Sequence, residues 1–191
     1  MLLFRYPQGA FDARCASVTA GGATASVTAW RALEGLLLHV YVDPAADVDE
    51  TAVALAPIAA ALAPVPPLSI ARLECRRDIA GAAAGAAAPF HYVVETGVAP
   101  GYWNEVVRWY DSEHLPGLAA VPGCVRARRF DVRGDTPRSY ACYDLASPAA
   151  LTHPAWLAVR ATRWSDRMRP QFRETVRTMF RAVGGPAGAD Q

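Results

Sequence analysis

The sequence predicts an α+β protein in which antiparallel sheets carry their helices on one face. In the C-terminal half, strand-like and helix-like patterns follow the order strand, helix, strand, strand, helix, strand. In the N-terminal half, short β-rich runs are separated by turn residues, and one apolar run suits a helix. Residues 81–89 lie between the halves and consist of alanine, glycine and one proline, which is the composition of a linker.

Composition and charge exclude several classes of protein. Of the 191 residues, 52% are hydrophobic and 19% are charged, so the chain can build a packed core. The formal net charge of +1 gives no field that would attract nucleic acid or an anionic membrane, and we expect neither partner. No apolar run approaches the roughly 20 residues that span a bilayer, and the N-terminus lacks the pattern of a signal peptide. A cytoplasmic protein is therefore expected.

Residues 1–80 predict a set of short strands and one helix. Strands are predicted at residues 2–6, 16–20, 25–30, 36–42 and 68–76. Gly21 and Gly22 join the second and third of these strands as a hairpin. The apolar run at residues 53–62 predicts a helix, which Pro57 should kink or shorten.

Residues 90–183 have a clearer pattern. Strands are predicted at residues 90–96, 125–132, 139–145 and 175–183, and helices at residues 102–114 and 154–168. Pro116 is expected to end the first helix, because proline disrupts a helix interior. Ser147 and Pro148 suit the start of the next helical region, and residues 184–191 are expected to be a disordered tail.

The chain has four cysteines: Cys15, Cys75, Cys124 and Cys142. They have neither metal-ligand spacing nor the arrangement of a small disulfide-rich domain, so reduced thiols are expected. In the C-terminal hairpin, with residues 133–137 as its loop, Cys142 lies opposite Arg128 and not opposite Cys124. A disulfide between Cys124 and Cys142 is therefore not expected.

The element order of residues 90–183 is that of the split βαβ, or ferredoxin-like, unit. Such a unit forms a four-stranded antiparallel sheet with both helices on one face. Its other face needs a cover, which a homodimer or a tandem repeat supplies by forming an α+β barrel. Residues 1–80 fit a degraded second ferredoxin-like half, whose first helix is missing or very short. The sequence leaves open whether the barrel closes within one chain or between chains.

Several segments of the C-terminal half together match a known sequence pattern: Trp109–Pro116, Val121–Gly123, Ala127–Phe130, Tyr140–Leu145 and Thr162–Met168. Over about residues 90–183, the chain resembles the EthD-like branch of the dimeric α+β barrel superfamily. The resemblance implies a homodimer and a cavity between sheet and helices for small, often aromatic, ligands. Members of the superfamily include cofactor-independent monooxygenases, polyketide cyclases, muconolactone isomerases and haem-handling enzymes. Most members of the EthD-like branch have no assigned reaction, so the resemblance implies a fold more than an activity.

His114 is the first candidate for chemistry, because an imidazole can act as acid or base near neutral pH. Tyr110 lies four residues earlier on the same predicted helix face and could hydrogen-bond to His114 or to a substrate. The alternative is that His114 ends the helix and interacts with its last carbonyl groups. The catalytic candidates are therefore His114 and Tyr110.

The candidates for substrate binding are Trp103, Arg129, Tyr143 and Trp164. The two tryptophans could line an aromatic pocket or pack in the core. Arg128 and Arg129 point to opposite sides of a strand, so at most one enters a cavity, where it would need a carboxylate or an anionic ligand. The alternative is that both arginines are solvated charges.

Two functions fit these patterns. The first is a cofactor-independent enzyme of monooxygenase, cyclase or isomerase type, acting on a small hydrophobic or aromatic compound. The second is a non-catalytic protein that binds a small ligand or supports assembly. No metal and no cofactor are expected, since the chain has no metal-ligand cluster and no Gly-rich phosphate loop. Haem ligation needs only one histidine and stays open. The direction of the His114 imidazole distinguishes the two functions.

Overall fold

The computed structural model describes residues 1–7, 17–20, 23–44, 68–132 and 138–183. The helix predicted at residues 53–62, the loop at 133–137 and the tail at 184–191 lie outside these ranges. The chain forms two compact units. Unit 1 comprises Met1–Leu73 and Arg181–Gln191, and unit 2 comprises Glu74–Phe180. The domain boundaries drawn from the sequence stay a prediction.

Unit 1 is an antiparallel sheet. Its strands are β1 (Leu2–Pro7), β2 (Ser17–Ala20), β3 (Ala23–Ala32), β4 (Leu37–Pro44) and the first residues of β5 (Ser69–Ala80), in the order β2-β3-β4-β1-β5. β2 and β3 form the hairpin predicted around Gly21 and Gly22, with Ala20 paired to Ala23. Leu2, Leu3, Phe4 and Tyr6 of β1 are all buried, so side chains on both faces of this strand are covered.

Unit 2 combines strands with short helices, which gives the chain the predicted mixed α+β fold. Its strands are β6 (Phe90–Val98), β7 (Cys124–Val132), β8 (Arg138–Leu145) and β9 (Phe172–Ala182), in the order β5-β7-β8-β6-β9. Its α-helices are α1 (Trp103–Trp109), α2 (Leu115–Ala119), α3 (Pro154–Arg160) and α4 (Arg163–Met168). Two 3-10 turns, Pro148–Thr152 and Arg169–Gln171, flank α3 and α4.

The register of unit 2 assigns side chains to the two faces of its sheet. Tyr92 pairs with Tyr143 across β6 and β8, and both pack with the helices in one core. The intervening residues, His91 and Asp144, therefore point to the other face, since side chains alternate along a strand. Cys142 lies opposite Arg128, as predicted from the hairpin.

The first helical segment of unit 2 does not end before Pro116. Residues Tyr110–His114 form a π-helical turn, in which the Leu115 amide donates to the Tyr110 carbonyl, and α2 continues to Ala119. The prediction that Pro116 ends the helix was wrong. Pro116 lies in the first turn of α2, where amide groups have no acceptor within that helix, so the amide hydrogen that proline lacks is not required.

The second predicted helix, at residues 154–168, is two helices. α3 stops at Arg160, and Thr162 begins α4 by accepting a hydrogen bond from the Ser165 amide at 3.1 Å. The Thr162 hydroxyl also donates to Glu113 at 2.6 Å, which links the π-turn to the start of α4. Threonine is a favourable N-cap, so its hydroxyl sets the break that periodicity alone does not predict.

Residues 81–89 belong to unit 2 and pack against it. The Gly81 amide donates to the Val125 carbonyl at 2.9 Å, and the Ala82 amide donates to the Ala119 carbonyl at 2.8 Å. A Cβ atom at position 81 would lie 2.1 Å from the Cys124 carbonyl oxygen, so only glycine fits there. In the described part of the chain, no helix has the length and apolar character to cross a membrane.

Candidate functional site

A cavity lies on the helix-covered side of the unit 2 sheet. Its volume is about 470 Å³, part of which is open to solvent. The lining residues are Tyr92, Val94, Trp109, Tyr110, His114, Leu118, Tyr143, Trp156, Arg160, Ser165, Arg169, Phe172 and Arg177. Aromatic walls with a few convergent polar groups are the usual composition of a small-molecule site.

The π-turn determines how His114 faces this cavity. Its imidazole stacks on the Trp109 indole with ring centroids 4.1 Å apart and planes at 25°. In an α-helix, side chains five residues apart point about 140° away from each other, whereas the wider π-turn brings them toward the same face. The Tyr110 ring meets the same imidazole edge-on at 5.5 Å. His114 is therefore a cavity residue within a continuing helix, and the alternative of a helix-end residue was wrong.

The polar atoms of His114 are not satisfied by the protein. Nδ1 is buried and has no hydrogen-bond partner among the described residues. Burial lowers the pKa of His114 to about 3, with further lowering by the positive charges of Arg160 and Arg169. The imidazole is therefore neutral at pH 7, with one nitrogen as donor and the other as acceptor. A buried polar atom without a partner is costly and calls for an explanation.

Two of the three phenols that line the cavity are fully buried, those of Tyr110 and Tyr143. Burial raises the pKa of Tyr110 and of Tyr143 well above the ordinary value for tyrosine. Both hydroxyl groups therefore keep their proton at neutral pH and can donate a hydrogen bond to a ligand oxygen.

The cavity also carries three arginines, from three different elements: Arg160 at the end of α3, Arg169 after α4, and Arg177 on β9. Arg169 pairs with Asp166 on the surface. Within the described ranges, Arg160 and Arg177 form no ion pair and donate no hydrogen bond to the protein. No carboxylate from those ranges lines the cavity, so its charged groups are all of one sign.

The structure places the sequence-derived candidates unevenly. Tyr110, Tyr143 and His114 line the cavity, whereas Trp103, Trp164 and Arg129 do not. Trp164 packs against the core, and its indole nitrogen is buried without a partner in the described chain.

Arg129 points to the helix-covered side of the sheet, where it forms ion pairs with Asp111 and Asp131. It is 2% exposed, donates to Asp131 at 2.6 Å and contacts Asp111 at 3.4 Å. The alternative that Arg128 and Arg129 are both solvated charges was wrong. With two carboxylates beside it, Arg129 has no unpaired charge to offer a ligand.

The cavity residues that the sequence did not predict come from several elements: Tyr92, Val94, Trp109, Leu118, Trp156, Arg160, Ser165, Arg169, Phe172 and Arg177. Trp109 was not predicted because a 3.6-residue period places it on a different helix face from His114, and only the π-turn brings the two together. The alternation of β6 could have indicated Tyr92, since Tyr92 shares a face with Val94. No local pattern marks Arg160 or Arg177, because their convergence depends on the fold.

A second polar cluster lies on the other face of the same sheet. His91 Nδ1 lies 2.6 Å from Asp144 Oδ1, and Arg128 donates to Asp144 Oδ2 at 2.9 Å. Burial alone would raise the pKa of Asp144, but the His91 hydrogen bond and the nearby arginines bring it below its ordinary value. Asp144 thus contacts both His91 and Arg128, whereas the buried Nε of Arg128 has no partner among the described residues. Within the described residues, no three histidine, cysteine or acidic side chains are grouped so as to hold a metal ion.

Comparison with known proteins gives the fold and no family. No protein-family model matches the chain. No curated protein sequence matches it either. The chain is similar to the crystal structure of an anthrone oxidase-like protein, with a TM-score of 0.63 and 13% identity, covering 100% of this chain and 95% of that one.

Two further solved structures are similar. A proposed monooxygenase from Fusobacterium nucleatum has a TM-score of 0.59 and 10% identity, over 95% of this chain and 92% of that one. A proposed monooxygenase from Lactobacillus acidophilus NCFM has a TM-score of 0.57 and 12% identity, over 82% and 75%. At such identities the likeness shows a shared fold, that of monooxygenase-like α+β barrel proteins, and no shared activity.

Proposed function

We propose that the unit 2 cavity binds a small hydrophobic or aromatic compound and that the protein is a cofactor-independent enzyme of monooxygenase type. The observation that carries this proposal is the neutral, unpartnered imidazole of His114 at an aromatic cavity. A bound substrate with a carbonyl or hydroxyl group would provide the partner that the protein does not supply. The phenol of Tyr110 lies beside His114 and can donate to the same ligand.

The reaction we propose is oxidation of an activated carbon beside an aromatic ring. His114 accepts a proton from a substrate CH₂ group, which leaves a carbanion stabilised by the ring. Molecular oxygen is the oxidant. One oxygen atom becomes the carbonyl oxygen of the product, and the other leaves as water with the two hydrogens. The step needs an acidic substrate, because a histidine with a pKa of about 3 is a weak base in the free protein.

That low pKa also favours the second candidate, a non-catalytic protein that binds a small ligand in the same cavity. A neutral imidazole that stays neutral can recognise a hydroxyl or carbonyl group without transferring a proton. In this case the stacked pair of His114 and Trp109 forms a recognition surface, and the chain binds its ligand without changing it.

The proposal extends to architecture. We propose that each unit is a ferredoxin-like half, that the chain is related to the EthD-like branch, and that it forms a homodimer. The same strand order supports the first point. When the short β2 is left out, β3-β4-β1-β5 corresponds to β7-β8-β6-β9, and each set runs in the order second, third, first and fourth strand. Sedimentation equilibrium tests the homodimer, and a monomer at about 100 μM would contradict it.

Oxygen uptake with anthrone tests the enzymatic proposal, because one structurally similar protein is described as anthrone oxidase-like. We expect uptake above the rate in buffer, and a loss of about a hundredfold in His114→Gln. His153→Asn is the matched control, since His153 lies outside the cavity and asparagine can replace it as the N-cap of α3. Anaerobic binding of anthrone, followed by tryptophan fluorescence, separates binding from turnover. Binding without uptake would support the second candidate, and the absence of both would remove the site.

A further inference from the structure

Arg160 and Arg177 differ from the paired arginines of unit 2. Arg76, Arg126, Arg129 and Arg138 each lie within 4 Å of a carboxylate oxygen. Arg160 and Arg177 have no such partner in the part of the chain that the structure describes, yet both line a cavity. At an apolar cavity a half-buried guanidinium without a partner, such as that of Arg160, lacks part of its hydration, whereas the exposed Arg177 stays hydrated.

Arg160 and Arg177 line the same cavity as Tyr92. Burial raises the pKa of the Tyr92 phenol, and the positive charges of both arginines partly offset that rise. Burial lowers the pKa of His114, and the charge of Arg160 lowers it further. Arg160 is half-buried and Arg177 is exposed, whereas Trp109 is fully buried. The cavity therefore has an apolar aromatic interior and a positively charged opening.

This polarity matches a planar anion attached to an aromatic ring. The guanidinium fork binds a carboxylate through parallel hydrogen bonds, and arginine is the side chain best suited to that geometry. A ring behind the carboxylate would lie between the aromatic walls, among them Trp156, Tyr143 and Phe172. A cleft lined by charges of one sign also raises the local concentration of the opposite ion.

We propose that the ligand of the unit 2 cavity is an aromatic carboxylate, whose carboxylate group is bound by Arg160 and Arg177 while its ring enters the aromatic interior. This inference rests on the proposed function, since it names the substrate class of the same cavity.

Benzoate and benzamide test this inference, because they have the same shape and differ in charge. Each is titrated into the full-length protein, with the fluorescence of the cavity tryptophans as readout. We expect benzoate to bind about tenfold more tightly than benzamide at low salt, and the difference to shrink as salt screens the arginines. Arg160→Met and Arg177→Met should each weaken benzoate binding by about fivefold, and the double variant should bring it to the level of benzamide.

Arg108→Met is the matched control. Arg108 is exposed on α1, lies outside the cavity lining and has no partner among the described residues, so its removal should leave both affinities unchanged. Circular dichroism of each variant establishes that it is folded.

The outcomes separate this inference from the proposed function. Equal affinities for benzoate and benzamide, or undiminished benzoate binding in the double variant, would overturn the carboxylate site and leave an aromatic cavity in place. If neither compound binds the wild-type protein at about 10 mM, the proposal that this cavity binds aromatic ligands is refuted, because affinities weaker than that are negligible for a ligand site.

Discussion

Two histidines on opposite sides of the unit 2 sheet show different solutions to the same physical problem. His91 is 1% exposed, and its Nδ1 lies 2.6 Å from Asp144, which Arg128 also binds. His114 lies in the π-turn, and its buried Nδ1 has no partner among the described residues. The protein itself supplies a hydrogen-bond partner for His91, whereas His114 Nδ1 can gain one from a bound ligand. Unpartnered polar atoms at a cavity therefore mark the site better than the presence of charge does.

The largest expected effect comes from removing the Asp144 carboxylate, which contacts His91 and Arg128. Asp144→Ala leaves the buried imidazole of His91 and the half-buried Arg128 without their shared carboxylate. We expect the free energy of unfolding to fall by about 3 kcal/mol, measured by urea denaturation. Ligand affinity of the folded fraction should not change. Glu105→Ala is the control, since its ion pair with Arg167 is largely exposed and should contribute less than about 1 kcal/mol. Equal losses in the free energy of unfolding of the two variants would contradict the greater contribution assigned to the buried Asp144 cluster.

The pH dependence of stability tests the unsatisfied histidine. The pKa of His114 is lowered in the folded protein to about 3 from its ordinary 6.5, so the unfolded chain binds this proton more readily. The stability from the neutral imidazole is complete above pH 6.5 and is lost as the pH falls toward 3. The expected slope is at most about 1.4 kcal/mol per pH unit.

Carboxylates such as Asp144 also titrate at the acid end of this range, because their lowered pKa makes stability fall with acid there. The relevant quantity is therefore the difference between the wild-type curve and the His114→Asn curve. A difference that does not depend on pH between 4 and 6.5 would show that His114 is solvated and that its pKa is not lowered by folding.

Substitution of His114 by phenylalanine should separate stability from binding. His114→Phe keeps an aromatic ring against Trp109 and removes the buried nitrogen that has no partner. We expect the variant to be more stable by about 1 kcal/mol and to lose about tenfold in ligand affinity. Thermal unfolding and fluorescence titration measure the two quantities. A destabilised variant with unchanged affinity would assign His114 to the structural core.

Much of the fold follows from the sequence because strands have a simple period. Alternation and turn residues predict the hairpin of β2 and β3, and they predict Cys142 opposite Arg128. The helices were predicted less well. Pro116 does not end its helix, since it lies in the first turn of α2, where no amide hydrogen is needed. Thr162 divides a segment that has a continuous helical period.

The candidate site was predicted in part, for physical reasons that differ between residues. Tyr110 and His114 were found because they share one helical segment. Trp109 was missed because a π-turn changes which residues share a face. Arg160 and Arg177 come from α3 and β9, and only folding brings them to one cavity. Arg129 looked like a ligand-binding residue, but Asp111 and Asp131, from other positions, balance its charge.

The smallest expected effect distinguishes two tryptophans whose indole nitrogens are both buried without a partner in the described chain: Trp109 and Trp164. Only Trp109 lines the cavity. Trp109→Phe should weaken ligand binding by about threefold, because it removes a donor at the cavity, and Trp164→Phe should leave the affinity unchanged. Titrations followed by NMR chemical shifts measure both. A larger loss for Trp164→Phe would move the ligand site away from the π-turn.

The most direct test of the central claim follows the histidines themselves. Protein labelled with ¹⁵N at histidine is titrated with benzoate, and the ring nitrogens are observed by NMR. If the unpartnered group is the ligand site, the His114 resonances shift with saturation while those of His91, held by Asp144, stay in place. Shifts of His91 without shifts of His114 would contradict the account.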